Sequence, residues 1–80
     1  MWASQKRLAL RIKELRARHG LTQVRLARRA GVSPGYLARL EIGMHDPQMS
    51  TLLKLARALR VSVGELFEQP RKAGERRGES

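Results

Sequence analysis

An all-α domain of five short helices is what this sequence predicts. Apolar residues recur at spacings of three and four, no segment alternates with period two for long enough to make a sheet, and Ser, Thr, Gly and Pro stand at the joints. The 80 residues hold one domain at most, without internal repeats. The apolar share is 41 %, with Trp2, Tyr36 and Phe67 as the aromatics, which suffices for a small helical core.

The first helix opens after Ser4, with Leu8, Ile12 and Leu15 as its inward stripe and residues 1–4 frayed. Lys and Arg fill its other faces, so Arg7, Arg11, Lys13 and Arg18 are expected in solvent. It stops at His19-Gly20, where Gly can turn left-handed past the last turn. Thr22 can cap a second helix whose inward stripe is Leu26, Ala27 and Ala30, and Gly31 ends it. Ser33-Pro34 starts a third, Ser as cap and Pro at the first helical position; Tyr36, Leu37 and Leu40 come next, and Gly43 closes it. Met44-His45-Asp46-Pro47 reads as a loop. A fourth helix, about Gln48 to Arg60, has Met49, Leu52, Leu55, Ala56 and Leu59 on its core face. Ser62 and Glu65 form a Ser-x-x-Glu capping box that opens a short fifth helix through Leu66 and Phe67. The domain is placed at residues 1–68. Residues 69–80 offer one Ala as their only apolar residue, cannot offset their ordering entropy by burial, and read as a flexible basic tail.

Charge narrows the partners. Lys and Arg number 17 against 7 Asp and Glu, a net +10, which suits nucleic acid or an anionic membrane surface. The balance is +5 over residues 1–20, +3 over 21–43, zero over 44–69 and +2 over 70–80, so one molecule has a basic end and a neutral end. Cysteine is absent, which excludes disulfides, thiolate zinc sites and cysteine nucleophiles and fits a reducing cytoplasm. No apolar run exceeds three residues, as at Leu8-Ala9-Leu10, so no transmembrane span is expected. Arg11 and Lys13 interrupt the apolar residues after Lys6 and Arg7, so no signal peptide is expected. His19 and His45 have no metal-ligand spacing, and no Ser, His and Asp arrangement marks a nucleophile. No enzyme, metal or cofactor is expected.

Two short helices flank Ala30-Gly31-Val32-Ser33, with a turn of about three residues between them. Ala27, four residues before Gly31, is small enough for the helices to cross closely, and Val32 and Leu37 wedge into the angle. These are the requirements of a helix-turn-helix. The run from Leu21-Thr22-Gln23 through Leu26-Ala27, Gly31-Val32-Ser33 and Leu37 to Leu40-Glu41-Ile42-Gly43 resembles the DNA-binding unit of Cro-like and lambda-repressor-like regulators, also called the xenobiotic-response-element family. The resemblance continues through Asp46-Pro47, Thr51–Leu59 and Val61-Ser62-Val63-Gly64-Glu65-Leu66-Phe67, covering roughly residues 8–67. It implies a compact five-helix domain with the helix-turn-helix at helices two and three, the third entering the DNA major groove. Further implications are that Gln23 bonds a phosphate or braces the recognition helix, that Ser33, Pro34, Gly35, Tyr36 and Arg39 lie on the groove side, and that Arg16 and Glu41 form a buried ion pair. The chain departs from the family's pattern at Met44 and His45, where the loop is often basic, at Ile42, and at Pro34 and Gly35, which cannot donate a side-chain hydrogen bond.

Each site residue carries two readings. Arg39 is the first candidate for a base contact, because a guanidinium can bond O6 and N7 of one guanine; the alternative is a phosphate contact or surface ion pair. Tyr36 can cover a thymine methyl or donate to a phosphate, or simply pack over the turn. Ser33 is a helix cap before it is a phosphate ligand. Thr22 and Gln23 sit where a helix N-terminus favours phosphate. Arg28 and Arg29 attract phosphate, or only complement the negative end of the second helix. Val63 and Phe67 lie four apart on the fifth helix and are expected at a dimer interface; the alternative is that Phe67 is core and Val63 merely exposed.

Together these readings predict a sequence-specific regulator of transcription that binds double-stranded DNA, a repressor acting as a homodimer on a palindromic operator, cytoplasmic and associated with the nucleoid. No effector domain is expected after residue 67. A phage-type repressor, a restriction-modification controller or an antitoxin fits that description. The alternatives are a protein-interaction module for a toxin or an RNA polymerase subunit, with DNA incidental, and a basic membrane-surface peptide. The basic charge on the helix-turn-helix half argues against the first, and five capped helices against the second.

Overall fold

A computed structural model describes residues 2–70, those before Gln5 by backbone alone; residues 71–80 of the expected tail lie outside the described residues. Five helices run in the order α1 (Trp2–Arg18), α2 (Gln23–Ala30), α3 (Pro34–Leu40), α4 (Met49–Leu59) and α5 (Val63–Leu66), and no strand occurs among the described residues. α1 starts at Trp2 rather than after Ser4, so the first turn expected to fray is helical.

The apolar stripes meet in one core. Leu8, Ile12 and Leu15 from α1 join Leu26, Ala27 and Ala30, then Leu37 and Leu40, then Leu52, Leu55, Ala56 and Leu59, and finally Leu66. Burying a Leu or Ile side chain of this kind stabilises by about 1.5–3 kcal/mol. α2 packs on both α3 and α4. Two of its three buried residues, Ala27 and Ala30, are small, which allows close packing.

Local chemistry sets the joints. Thr22 Oγ1 accepts from the Arg25 N–H at 3.1 Å, Ser33 Oγ from Tyr36 at 3.0 Å and Ser62 Oγ from Glu65 at 3.2 Å. Gly31 ends α2 at φ 76°, while the Val32 N–H donates to Ala27 O at 3.0 Å. Gly43 ends the turn after α3 at φ 80°, with Met44 N donating to Arg39 O at 3.0 Å. A Cβ at Gly43 would lie 3.6 Å from the Lys6 Cα, an ordinary contact, so it is the left-handed conformation that favours glycine at this joint.

Two expectations are corrected. Arg11 is not on a solvated face: it is 4 % exposed beneath α5. Its Nε donates to Glu65 O at 2.8 Å, Nη1 to Glu14 Oε1 at 2.9 Å and Nη2 to Glu68 Oε1 at 3.4 Å. A guanidinium hydrogen-bonded through all three nitrogens is tolerable in a core where a bare one is not. Met49 is not core but 59 % exposed, because the first turn of α4 overhangs the core that Leu52 reaches.

Candidate nucleic-acid interface

The N-terminal turn of α3 is open. Ser33, Pro34 and Gly35 are exposed, Tyr36 is half-buried and Arg39 is exposed one turn further on. Leu37 and Leu40 hold the opposite face in the core with no more than 1 % exposure. Pro at the first helical position costs no hydrogen bond, since that N–H has no intrahelical partner. The helix therefore presents one polar face on a rigid backing. Because Pro34 and Gly35 carry little or no side chain, a surface can approach its backbone there.

The far end of α3 is anchored through charge. Glu41 is 5 % exposed and accepts from Arg16 Nε at 2.7 Å and Nη2 at 3.0 Å. Arg16 Nη1 donates in addition to Leu21 O at 2.8 Å, and Gln23 Nε2 donates to Glu41 Oε1 at 3.0 Å. The first turn of α2, the end of α1 and the end of α3 are thus tied at one carboxylate. Gln23 braces the recognition helix in this arrangement, and its second amide hydrogen remains for a ligand. The Thr22 and Ser33 oxygens are occupied as cap acceptors, which leaves each hydroxyl hydrogen free to donate.

A cluster that sequence reasoning missed lies beside Arg39. The reversal at Gly43 brings His45 back over α3. Its ring stacks on Tyr36 with centroids 4.6 Å apart and planes at 20°. Arg39 Nε donates to His45 Nε2 at 3.4 Å, and Arg39 Nη1 lies 3.6 Å from where a Cβ of Gly35 would stand. The available signal was Gly43, two residues before His45, which turns the loop onto the preceding helix. Val32, Tyr36, His45, Asp46, Pro47, Gln48 and Thr51 line a shallow cleft of about 420 Å³ beside this cluster.

Arg28 and Arg29 are exposed at the end of α2. Arg29 faces a second cleft, of about 350 Å³, with Ala30, Lys54, Arg57, Ala58 and Arg60. Among the described residues, no carboxylate pairs with its four cations. The stretch that is neutral by count, 44–69, is therefore not neutral in space: Lys54, Arg57 and Arg60 gather here, while Glu68 turns to Arg11. On α5, Val63 packs partly against the core and Phe67, just past the helix, is 44 % exposed. No described helix is long and apolar enough to cross a membrane.

Comparison with known proteins fits this geometry. The helix-turn-helix family model matches residues 12–66. The immunity repressor protein of Bacillus phage phi105 is 43 % identical over 56 residues, 70 % of this chain and 39 % of the repressor. The restriction-modification controller protein C.AhdI from Aeromonas hydrophila superposes with a TM-score of 0.80 at 35 % identity, over 81 % of this chain and 98 % of that one. SinR, the master regulator for biofilm formation, solved in complex with DNA, superposes with a TM-score of 0.73 at 34 % identity, over 76 % of this chain and 98 % of that one. SinR is also known in a complex with the SinI protein. With an exposed, rigidly backed α3 and matches across most of its length, the chain belongs to the helix-turn-helix family of DNA-binding transcriptional regulators.

Proposed function

We propose that this regulator is a repressor that binds a palindromic operator as a homodimer, in the cytoplasm and on the nucleoid. The observation that carries the reading is the open polar face of α3, fixed from behind by the Arg16–Glu41–Gln23 network. Arg39 reads a base, with Tyr36 beside it, while Pro34 and Gly35 allow close approach to the groove. Gln23, Thr22, Ser33, Arg28 and Arg29 meet phosphates, which fixes register without reading sequence. One such helix discriminates weakly, since each mismatched base pair costs only about 1–3 kcal/mol. Two copies double the readout, and Val63 and Phe67 form the contact between them. Similarity to a phage immunity repressor and a restriction-modification controller supports this role.

Selection from random duplexes tests the reading. The expected product is an inverted repeat with half-site centres about 10–10.5 base pairs apart, one turn of DNA. Mobility shifts should then separate the selected duplex from a scrambled one. A selection that enriches no sequence would reduce the chain to a non-specific binder. A protein partner such as a toxin or an RNA polymerase subunit is a second reading, favoured by the SinR–SinI complex of a structural relative. Co-purification that survives nuclease treatment would support it.

A further inference from the structure

We infer that His45 is a positioning residue for base readout: it holds the Arg39 guanidinium beside Gly35 through Nε, which leaves the terminal nitrogens for DNA. The inference rests on the proposed reading of Arg39 as the base-contacting side chain. A free arginine on a helix surface samples many rotamers, and ordering it on DNA opposes binding. Here one hydrogen bond restricts it before DNA arrives, and the acceptor is itself held by a ring stack. The Arg39 Nε is engaged by His45 Nε2 at 3.4 Å. His45 is itself fixed by its stack on Tyr36 at 4.6 Å. Nη1 passes beside Gly35, 3.6 Å from where a Cβ would stand, an ordinary van der Waals distance.

The chemistry of the arrangement is specific. A histidine accepting at Nε2 carries its proton on Nδ1. With Nε engaged, Arg39 keeps Nη1 and Nη2 for an end-on pair of bonds to guanine O6 and N7, the geometry that distinguishes guanine from other bases. The two positions that look poorest for recognition, Gly35 and the non-basic loop residue His45, thereby support one well-placed reader instead of adding readers of their own.

The test uses the selected duplex and a copy with the contacted guanine–cytosine pair replaced. The quantity read is the ratio of the two affinities. His45→Phe keeps the ring on Tyr36 and removes the acceptor, and should lower the ratio about three- to tenfold. His45→Gln restores an acceptor and should recover part of it. In an Arg39→Ala background, His45→Phe should have no further effect. Relaxation of the Arg39 Nε–H in the free protein should show greater motion in His45→Phe than in the parent. If Arg39→Ala abolishes the ratio while His45→Phe leaves it intact, the inference is overturned and the reading of Arg39 stands. Equal weakening of both duplexes by His45→Phe overturns it also. If Arg39→Ala itself leaves the ratio unchanged, Arg39 is not the reader, and the inference falls with it.

Discussion

Arg16 and Glu41 meet side-on, with Nε to Oε2 at 2.7 Å and Nη2 to Oε1 at 3.0 Å, and join the end of α1 to the end of α3. Glu41 is 5 % exposed, and Arg16 and Gln23 supply its side-chain hydrogen bonds. Arg16→Met leaves the carboxylate buried with Gln23 alone, and should destabilise the fold by about 3–5 kcal/mol. Arg16→Met with Glu41→Leu removes both charges, and should cost less than the two single changes added together. A denaturant double-mutant cycle measures the difference. Simple additivity would mean the pair does not form in solution.

Gln23 is the test of whether that network serves DNA binding as well as folding. Its amide donates to Glu41 Oε1 at 3.0 Å. Gln23→Glu replaces the donor by a second carboxylate and leaves Glu41 short of a bond, at a cost of about 1–3 kcal/mol. The same change sets a negative charge at the N-terminus of α2, where phosphate is expected, so affinity should fall alike for specific and random DNA. Unfolding midpoints and binding isotherms on both duplexes check the two parts separately. A variant of unaltered stability would show that the bond to Glu41 contributes nothing.

Arg11 holds α5 in place. Apart from Glu14, the groups it bonds lie in or just after α5: the Glu65 carbonyl at 2.8 Å and Glu68 Oε1 at 3.4 Å. Arg11→Met fills much of the volume but takes the guanidinium donors away from that carbonyl and from Glu14. The expected loss is about 2–4 kcal/mol, concentrated at the C-terminal end. Hydrogen exchange should show α5 amides losing protection ahead of those in α2 and α4. Uniform loss across all helices would place the effect in the global fold instead.

What was legible in the sequence was local. Thr22, Ser33 and Ser62 sit three residues before the amides they cap, and a spacing of three is visible in a string of letters. The stripes of α1, α2 and α3 are also local, and Leu8, Ile12, Leu15, Leu26, Ala27, Ala30, Leu37 and Leu40 point inward as their periodicity requires, whereas Phe67 does not. Arg11 was not legible, because its partners in the C-terminal segment are 54 and 57 residues away and nothing in its own helix marks it off from Arg7 or Lys13. Met49 stands in register with Leu52, but periodicity gives a direction and not the edge of the core. His45 reads as a loop residue because its contacts with Tyr36 and Arg39 exist only after the chain reverses at Gly43.

Assembly supplies the last prediction. Two chains of net +10 repel wherever cations gather, and the cleft of Arg29, Lys54, Arg57 and Arg60 is one such place, so the contact is expected away from it, around α5. There Val63 is partly buried and Phe67 is 44 % exposed, which gives Phe67 the larger free apolar surface of the two. Contact with a second copy would cover this ring together with Val63. Met49 and Leu53, 59 % and 49 % exposed, are other large apolar side chains after Gly43 in solvent. A Glu at Val63 or Phe67 would bring two like charges together across a dyad, because an isologous contact repeats every change. Sedimentation of Val63→Glu and of Phe67→Glu should each show a monomer. Both variants should bind a single half-site as the parent does, and lose cooperative occupation of the palindrome. If both sediment as dimers while Leu53→Glu does not, the interface lies on α4 and the role given to α5 is wrong.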